Sequence, residues 1–410
     1  MKKIFIIHPD AQHSHYTAVA LSSLGHEVTF LTGRDLSVGI SSFMGYRSEL
    51  RKYKTITLAP YLYLLVGFLR KFFRGSVISK WAYKKYLNIF NNRAFLSVKL
   101  INPDVVIVYD TLSGSLISQI FVDSFSRPQV LVDMSAPLYT SHLFNSYDPD
   151  PDNIFKNELD CDNWRVTNSI IEIRMADIFL VASQYSSIGL MNAGVSKDKI
   201  FICPYGNKLE RQDKLCDEDK STLDDVDLSR GIKIVNFLYV GNVSIQKGVH
   251  RLLSSVLKIN TAGLEFKINL TLVGDDSYFQ NKRPEFSWLH IKGRLCSSDV
   301  EDVYQNNAAF VFPSLSDGFG FVVLEALSLG LPVLCSSHSG ASDLINKSNG
   351  VIFDPRDSES FVKNLTSFAR NVLEKKYNST IISKSVEIYN WKTYQTCLKD
   401  ALASKDVFVD

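Results

Sequence analysis

Short apolar runs recur along the chain, and between them apolar residues return every third or fourth position. Runs at 3–7, 28–32, 104–109, 129–133, 178–182 and 200–203 form one series; those at 232–240, 270–274, 309–313 and 333–335 form a second. Runs this short and this uniformly apolar predict strands buried on both faces of a sheet. The stretches from the first loop to about Leu24, at 164–175, 250–257, 299–304 and 321–329, and those after Pro355, are predicted as helices. Strand and helix alternate throughout, which predicts parallel α/β sheets. At 410 residues the chain exceeds what one core usually holds, so two domains are expected.

The chemistry concentrates at 312–355. This stretch opens in a turn holding Pro313, Ser314, Ser316, Asp317, Gly318 and Gly320, continues as the 321–329 helix, and stops at Gly330 and Pro332 before a short strand. Seven residues separate Asp317 from Glu325, which places one acid in the loop and the other in the second helical turn. Gly318 and Gly320 let the backbone approach a ligand closely. The helix start supplies free N–H groups and a partial positive charge. A nucleoside diphosphate sugar fits such a place, with phosphates on the N–H groups and hydroxyls on the carboxylates. A Gly-rich turn before a helix is also an ordinary feature, and Glu325 is then a solvated helix acid. Upstream, Lys247 precedes a helix on the turn after a strand, a position that suits a diphosphate.

These residues resemble the retaining glycosyltransferases of family four, built from two Rossmann-like domains (the GT-B type). The family signature is Glu, seven residues, Glu, with Gly-Phe-Gly between and Leu-Glu-Ala at the second acid. Here Asp317 holds the first position, Gly318-Phe319-Gly320 follow, and Leu324-Glu325-Ala326 hold the second. The resemblance is strong over the second half and weaker over the first, where Ala176-Asp177, a strand, Ser183, a helix, Gly194-Val195, a strand and Pro204-Tyr205-Gly206 carry it. It implies two doubly wound domains facing across a cleft: 1–208 on the acceptor side, 209–231 as linker or insertion, 232–388 on the donor side, and 389–410, from Asn390-Trp391-Lys392, returning to the first domain.

The resemblance also implies roles. Glu325 would hold ribose hydroxyls, and Asp317 with the N–H groups of Phe319 and Gly320 would position the donor sugar. Lys247 and Gly248 match a family turn that carries Gly-Arg and then Lys-Gly; Gly241 is present, but Asn242 replaces the Arg. Arg294 and Arg251 are candidates to supply the missing charge. The donor base would pack near Gly293 and Arg294, read largely by backbone. Asp133 stands at a strand end where the family often has a His beside the reacting sugar, and Asp110 is the second such candidate. No metal or resident cofactor is expected. The first loop, 9–15, lacks the usual Gly-Gly pair but holds His13 and His15, acceptor-side candidates that are equally plain loop histidines.

The segment 50–103 contains no Asp or Glu but is rich in Lys, Arg and aromatic residues. Such a mixture at helical spacing reads as a membrane-surface helix pair, with contact expected through 61–99. RNA binding is a second reading, and a helix pair with a core face and a solvated basic face is a third. Asp148, Asp150 and Asp152 mimic a metal motif, but the two intervening prolines and the lack of a following Gly favour a plain loop.

Net charge is only +2, which implies no nucleic-acid partner. Six scattered cysteines without metal-ligand spacing point to free thiols in a reducing compartment. The apolar start of the chain stops at His8-Pro9-Asp10 with no cleavage signal, and no run is long enough to span a bilayer. The expected activity is sugar transfer with retention from a nucleotide sugar to a saccharide or lipid-linked saccharide. The expected location is cytoplasmic, at the inner face of the membrane. A non-catalytic protein of the same fold, a sugar phosphorylase and a nucleotide-sugar epimerase are the alternatives.

Overall fold

The computed structural model describes residues 1–10, 13–34, 52–73, 76–109, 112–123, 126–134, 163–207, 225–227, 232–279 and 283–403. Asp110, the 148–152 run, most of the charged 210–230 stretch, Cys161 and Cys216 lie outside the described residues.

The first sheet contains β1 (Lys3–His8), β2 (Glu27–Thr32), β3 (Lys54–Thr57), β4 (Val105–Tyr109), β5 (Gln129–Met134), β6 (Ile178–Val181) and β7 (Ile200–Ile202). Their order is β3-β2-β1-β4-β5-β6-β7, with every pair parallel. Alternate residues of β1 serve opposite faces: Ile4 and Ile6 join one core, Phe5 and Ile7 the other. Burial on both faces is why the run is uniformly apolar. The helices of this half are α1 (Ser14–Ser23), α2 (Pro60–Phe72), α3 (Val77–Ile101), α4 (Gly114–Val122), α5 (Asn163–Met175) and α6 (Gln184–Asn192).

The second sheet contains β8 (Asp225–Asp227), β9 (Ile232–Val240), β10 (Phe266–Val273), β11 (Leu289–Gly293), β12 (Ala309–Phe312), β13 (Val333–Ser336) and β14 (Gly350–Phe353). Six strands run parallel in the order β11-β10-β9-β12-β13-β14, and β8 lies antiparallel on β9. With them go α7 (Val249–Thr261), α8 (Ser297–Gln305), α9 (Phe321–Ser328), α10 (Ser358–Leu373), α11 (Ser379–Lys384) and α12 (Trp391–Ala403).

β14 was not among the runs read as strands, and three other strands differ from the sequence reading. β3 is Lys-Thr-Ile-Thr, an edge strand with no buried residue, and its polar sequence gave no signal. β8 is Asp-Val-Asp within the charged stretch expected to be a linker. β10 begins earlier than expected because Lys267 and Asn269 break its apolar run while lying on its less buried face.

In each sheet the order reverses beside the first long strand, between β1 and β4 and between β9 and β12. Loops leaving the carboxyl ends of such strands diverge and open a crevice. α12 reaches back to the first half. Its Trp391 ring stacks on Tyr16 at 3.5 Å, and its Tyr394 hydroxyl bonds the Thr17 hydroxyl at 2.8 Å.

Two histidines, one buried and one half-buried, make the fold sensitive to acid. His8 ends β1, and its Nδ1 meets both the N–H of Asp10, at 2.9 Å, and the Asp10 carbonyl. Burial, aided by His13, lowers its pKa to about 4; burial, aided by Arg251, lowers that of His250 on α7 to about 4. An unfolded histidine titrates near 6.5, so the unfolded chain binds protons that the folded chain refuses. The stability they leave intact above about pH 6.5 is therefore lost as pH falls from 6.5 through 4. Urea midpoints should be flat from pH 8 to 7 and fall below 6.5; an unchanged midpoint near pH 4.5 would contradict this burial.

Candidate functional site

A cavity of about 270 Å³ occupies the crevice between the two halves. Gly241 and Lys247 reach it from the loop after β9, and Asp317, Phe319 and Gly320 from the loop after β12. Phe321 and Val322, the first turn of α9, complete that side, while His13 and Tyr205 close the other.

The two donor-side loops are pressed together. A Cβ on Gly248 would fall 2.0 Å from the Pro313 carbonyl oxygen, and its φ of +69° is left-handed. Only glycine fits there comfortably. The Tyr239 hydroxyl donates to the Asn242 carbonyl at 2.7 Å and fixes the chain leaving β9. Burial holds the Tyr239 hydroxyl well above the usual phenol range, so it remains a donor.

Lys247 and Asp317 meet, although 70 residues separate them in sequence. The ammonium lies 2.5 Å from Asp317 Oδ2, with side chains 24% and 18% exposed. Asp317 Oδ1 accepts from the Phe319 N–H at 3.1 Å. Both acidic oxygens are thus engaged, one by a charge and one by the turn itself. The pair is partly exposed, so water screens it in part, and a competing anion can reach the ammonium.

Glu325 lies one helical turn further along α9 and is not among the lining residues. Its Oε2 accepts from the buried Tyr304 hydroxyl at 3.2 Å. Gly293 sits at the end of β11 with φ +67°, and its carbonyl accepts from the Gly274 N–H at 2.8 Å. Arg294 is turned outward and pairs with Asp275 at 2.6 Å. Arg251 donates to the Pro355 carbonyl. Neither arginine is among the residues that line the cavity. Asn242 itself is exposed outside the lining.

Asp133, expected beside the reacting sugar, is 1% exposed and stands behind the residues that line the cavity. Its Oδ1 accepts from the Tyr205 hydroxyl at 2.8 Å, and its Oδ2 lies 3.6 Å from His13 Nε2. The Tyr205 hydroxyl also lies 3.1 Å from that nitrogen. Asp133 therefore orients the two residues that do face the cavity. His15 is not at the cavity; its Nδ1 bonds the Tyr53 hydroxyl at 2.5 Å.

Tyr205 escaped the sequence reading as a site residue. Its ring stacks on Phe321 (5.2 Å, 9° between planes) and meets Phe319 edge-on at 5.3 Å. Burial, with Asp133 beside it, pushes its pKa well above the usual phenol range. The only sequence signal was its place in Pro204-Tyr205-Gly206 directly after a strand. Among the described residues no three His, Cys, Asp or Glu side chains converge as a metal-ligand set. Cys203 and Cys335 are buried free thiols.

Two doubly wound sheets with loops facing across a crevice are the GT-B architecture. Residues 235–371 match the family model described as glycosyl transferases group 1. The capsular polysaccharide biosynthesis glycosyltransferase CapM of Staphylococcus aureus is 28% identical over 188 residues, which is 40% of this chain and 46% of that protein. The chain spans about a third to a half of the length of the first curated relatives it matches. The lipopolysaccharide outer core galactosyltransferase WaaB superposes with a TM-score of 0.60 at 19% identity, covering 99% of this chain and 100% of that one. HepE of Anabaena, solved with UDP and glucose, superposes with a TM-score of 0.60 at 14% identity, covering 98% and 100%. These likenesses establish the GT-B fold over nearly the whole chain.

Tyr205→Phe would remove the hydroxyl between Asp133 and His13 and leave a buried carboxylate oxygen without its donor. A loss of about 1–3 kcal/mol is expected, read by urea denaturation. A neutral effect would mean that the hydroxyl does not hold Asp133.

Proposed function

We propose that the protein is a retaining glycosyltransferase of family four. It would move a sugar from a nucleoside diphosphate donor to an acceptor hydroxyl in surface polysaccharide or lipopolysaccharide assembly. The observation that carries this reading is the ion pair of Lys247 and Asp317 beside the 318–320 turn. It stands at an interdomain cavity, inside the segment that matches group 1 glycosyl transferases. The HepE neighbour, solved with UDP and glucose, makes uridine the first base to test.

In this reading the donor diphosphate takes Lys247 from Asp317. The start of α9 adds its partial positive charge, which matters more where Asn242 stands in place of a second cation. Asp317 Oδ2, released from Lys247, accepts a hydroxyl of the donor sugar. Glu325 takes the ribose hydroxyls in exchange for its bond from Tyr304. The bond between the anomeric carbon and the phosphate oxygen breaks, and its electron pair leaves on the phosphate. The acceptor oxygen bonds to the same face of the oxocarbenium-like carbon and yields its proton to the leaving phosphate. Lys247 stabilises the charge that develops there. Asp133 is a positioning residue that holds Tyr205 and His13 against the reacting face. The acceptor is a saccharide or a lipid-linked saccharide.

A melting screen with UDP, GDP, ADP and their sugars, with and without Mg²⁺, tests the donor site. A ligand at about 100 times its Kd should stabilise the protein by about 2.7 kcal/mol. Lys247→Met should weaken the responding nucleotide by at least about tenfold with little change in the unliganded melt. Absence of a shift with every nucleotide on folded protein would sink the reading.

A further inference from the structure

The outer surface of α2 and α3 is not used by the reaction above. One side of α2 packs inward through Leu62, Tyr63, Val66 and Leu69. Its other side is apolar as well: Tyr61, Leu64, Leu65 and Phe68 follow helical spacing and are 86%, 66%, 53% and 55% exposed. A helix on an ordinary protein surface is polar on that side. α3 continues the surface with Ile78, Trp81, Ile89, Leu96 and Leu100, all exposed. Exposed Lys80, Lys84, Lys85 and Arg93 lie among them. No acidic residue occurs from 50 to 103. Lys99 pairs with Asp123 of the neighbouring segment at 2.9 Å. Lys85 also lies 5.7 Å above the Trp81 ring. Among the described residues no helix is long and apolar enough to cross a membrane.

We propose that the outer faces of α2 and α3 seat the protein on an anionic lipid leaflet. Apolar and aromatic side chains enter the headgroup boundary, and the basic side chains meet the lipid charge. A second copy is the poorer occupant, because two identical faces without an acid would set like charges against each other. Long aliphatic side chains have no use on a nucleic-acid backbone.

The same helices adjoin the cleft. The Tyr86 hydroxyl of α3 donates to the Pro9 carbonyl at 3.2 Å, and Tyr63 of α2 bonds Asp10 and Arg34. That loop leads into His13 at the cavity. The leaflet would thus lie beside the acceptor side. The proposal rests on the transfer reading only in naming what the leaflet brings, an acceptor carried on a lipid.

Flotation of the full chain with vesicles tests it. Binding should be strong to vesicles with about a third phosphatidylglycerol, weak to pure phosphatidylcholine, and reduced at 0.5 M salt. Lys80→Gln with Lys84→Gln should weaken binding about thirtyfold, at about 1 kcal/mol for each basic side chain. Leu65→Gln with Phe68→Gln should weaken it about as much and leave the melt and its nucleotide shift unchanged. Trp81 fluorescence should move to the blue on anionic vesicles, and Trp81→Phe should abolish that move.

No flotation, or flotation that both double variants retain, overturns the proposal. So does a wild-type dimer that Leu65→Gln with Phe68→Gln dissociates, or binding to RNA without binding to vesicles. The nucleotide shift reports the donor site separately, so failure of the surface and failure of the transfer reading are distinguishable.

Discussion

The cleft depends on how the carbonyl of Gly318 is held. The Ser183 hydroxyl, which caps α6 by accepting from the Ser186 N–H at 3.2 Å, donates to that carbonyl at 2.7 Å. One serine therefore ends a loop of the first sheet and fixes the donor turn of the second. Both groups are buried, so the bond does not compete with water. Gly340 closes the junction: a Cβ there would fall 2.0 Å from the Gly318 oxygen and 2.5 Å from the Ser183 oxygen. The Gly340 N–H donates to the Asp317 carbonyl at 2.9 Å. Asp343 reinforces the contact by accepting from the Gln184 N–H at 2.7 Å. Opening the cleft at this end must break these bonds together, so the position of Asp317 and the state of the interface are linked.

The parts of this arrangement legible in the sequence are those set by local patterns. Strands buried on both faces left uniform apolar runs, and the spacing of Asp317 and Glu325 around Gly318-Phe319-Gly320 marked the turn and helix. β3 and β8 left no such trace, because an edge strand and a three-residue strand bury too little to constrain their composition. Lys247 was legible as a cation at a helix start, but its pairing with Asp317 was not, since it arises where two loops meet. Tyr205 was hidden for the same reason. Its meaning comes from Asp133, His13 and Phe321, residues that the fold gathers from three separate segments. Asp133 was legible as a strand-end acid, but its partners were not, because sequence gives the end of a strand and not what stands in front of it.

The charge balance of the cleft follows from these contacts. Lys247 and Asp317 neutralise each other, and Arg251 and Arg294 are engaged elsewhere. Among the described residues lining the cavity, Lys247 is the one lysine or arginine, and it is paired. Affinity for a diphosphate then has to come from short-range donors, the turn and the start of α9, which act only on a ligand already in place. Such a site selects by fit more than by charge.

The distribution of charge over the whole chain carries the same point further. The net charge of +2 hides an uneven layout. Basic residues without acids fill 50–103, so the remainder of the chain is net acidic. A molecule with one basic, apolar face and an acidic remainder is oriented by an anionic surface: the face is attracted and the remainder repelled. The attraction falls off within a Debye length, about 8 Å at physiological salt, so it acts only on side chains that reach the surface. The exposed lysines and aromatic rings of α2 and α3 have that reach. The cleft, neutral and tied to the inner side of the same helices through Pro9 and Asp10, does not. Positive charge that the donor site lacks is concentrated where it sets the attitude of the molecule rather than its chemistry.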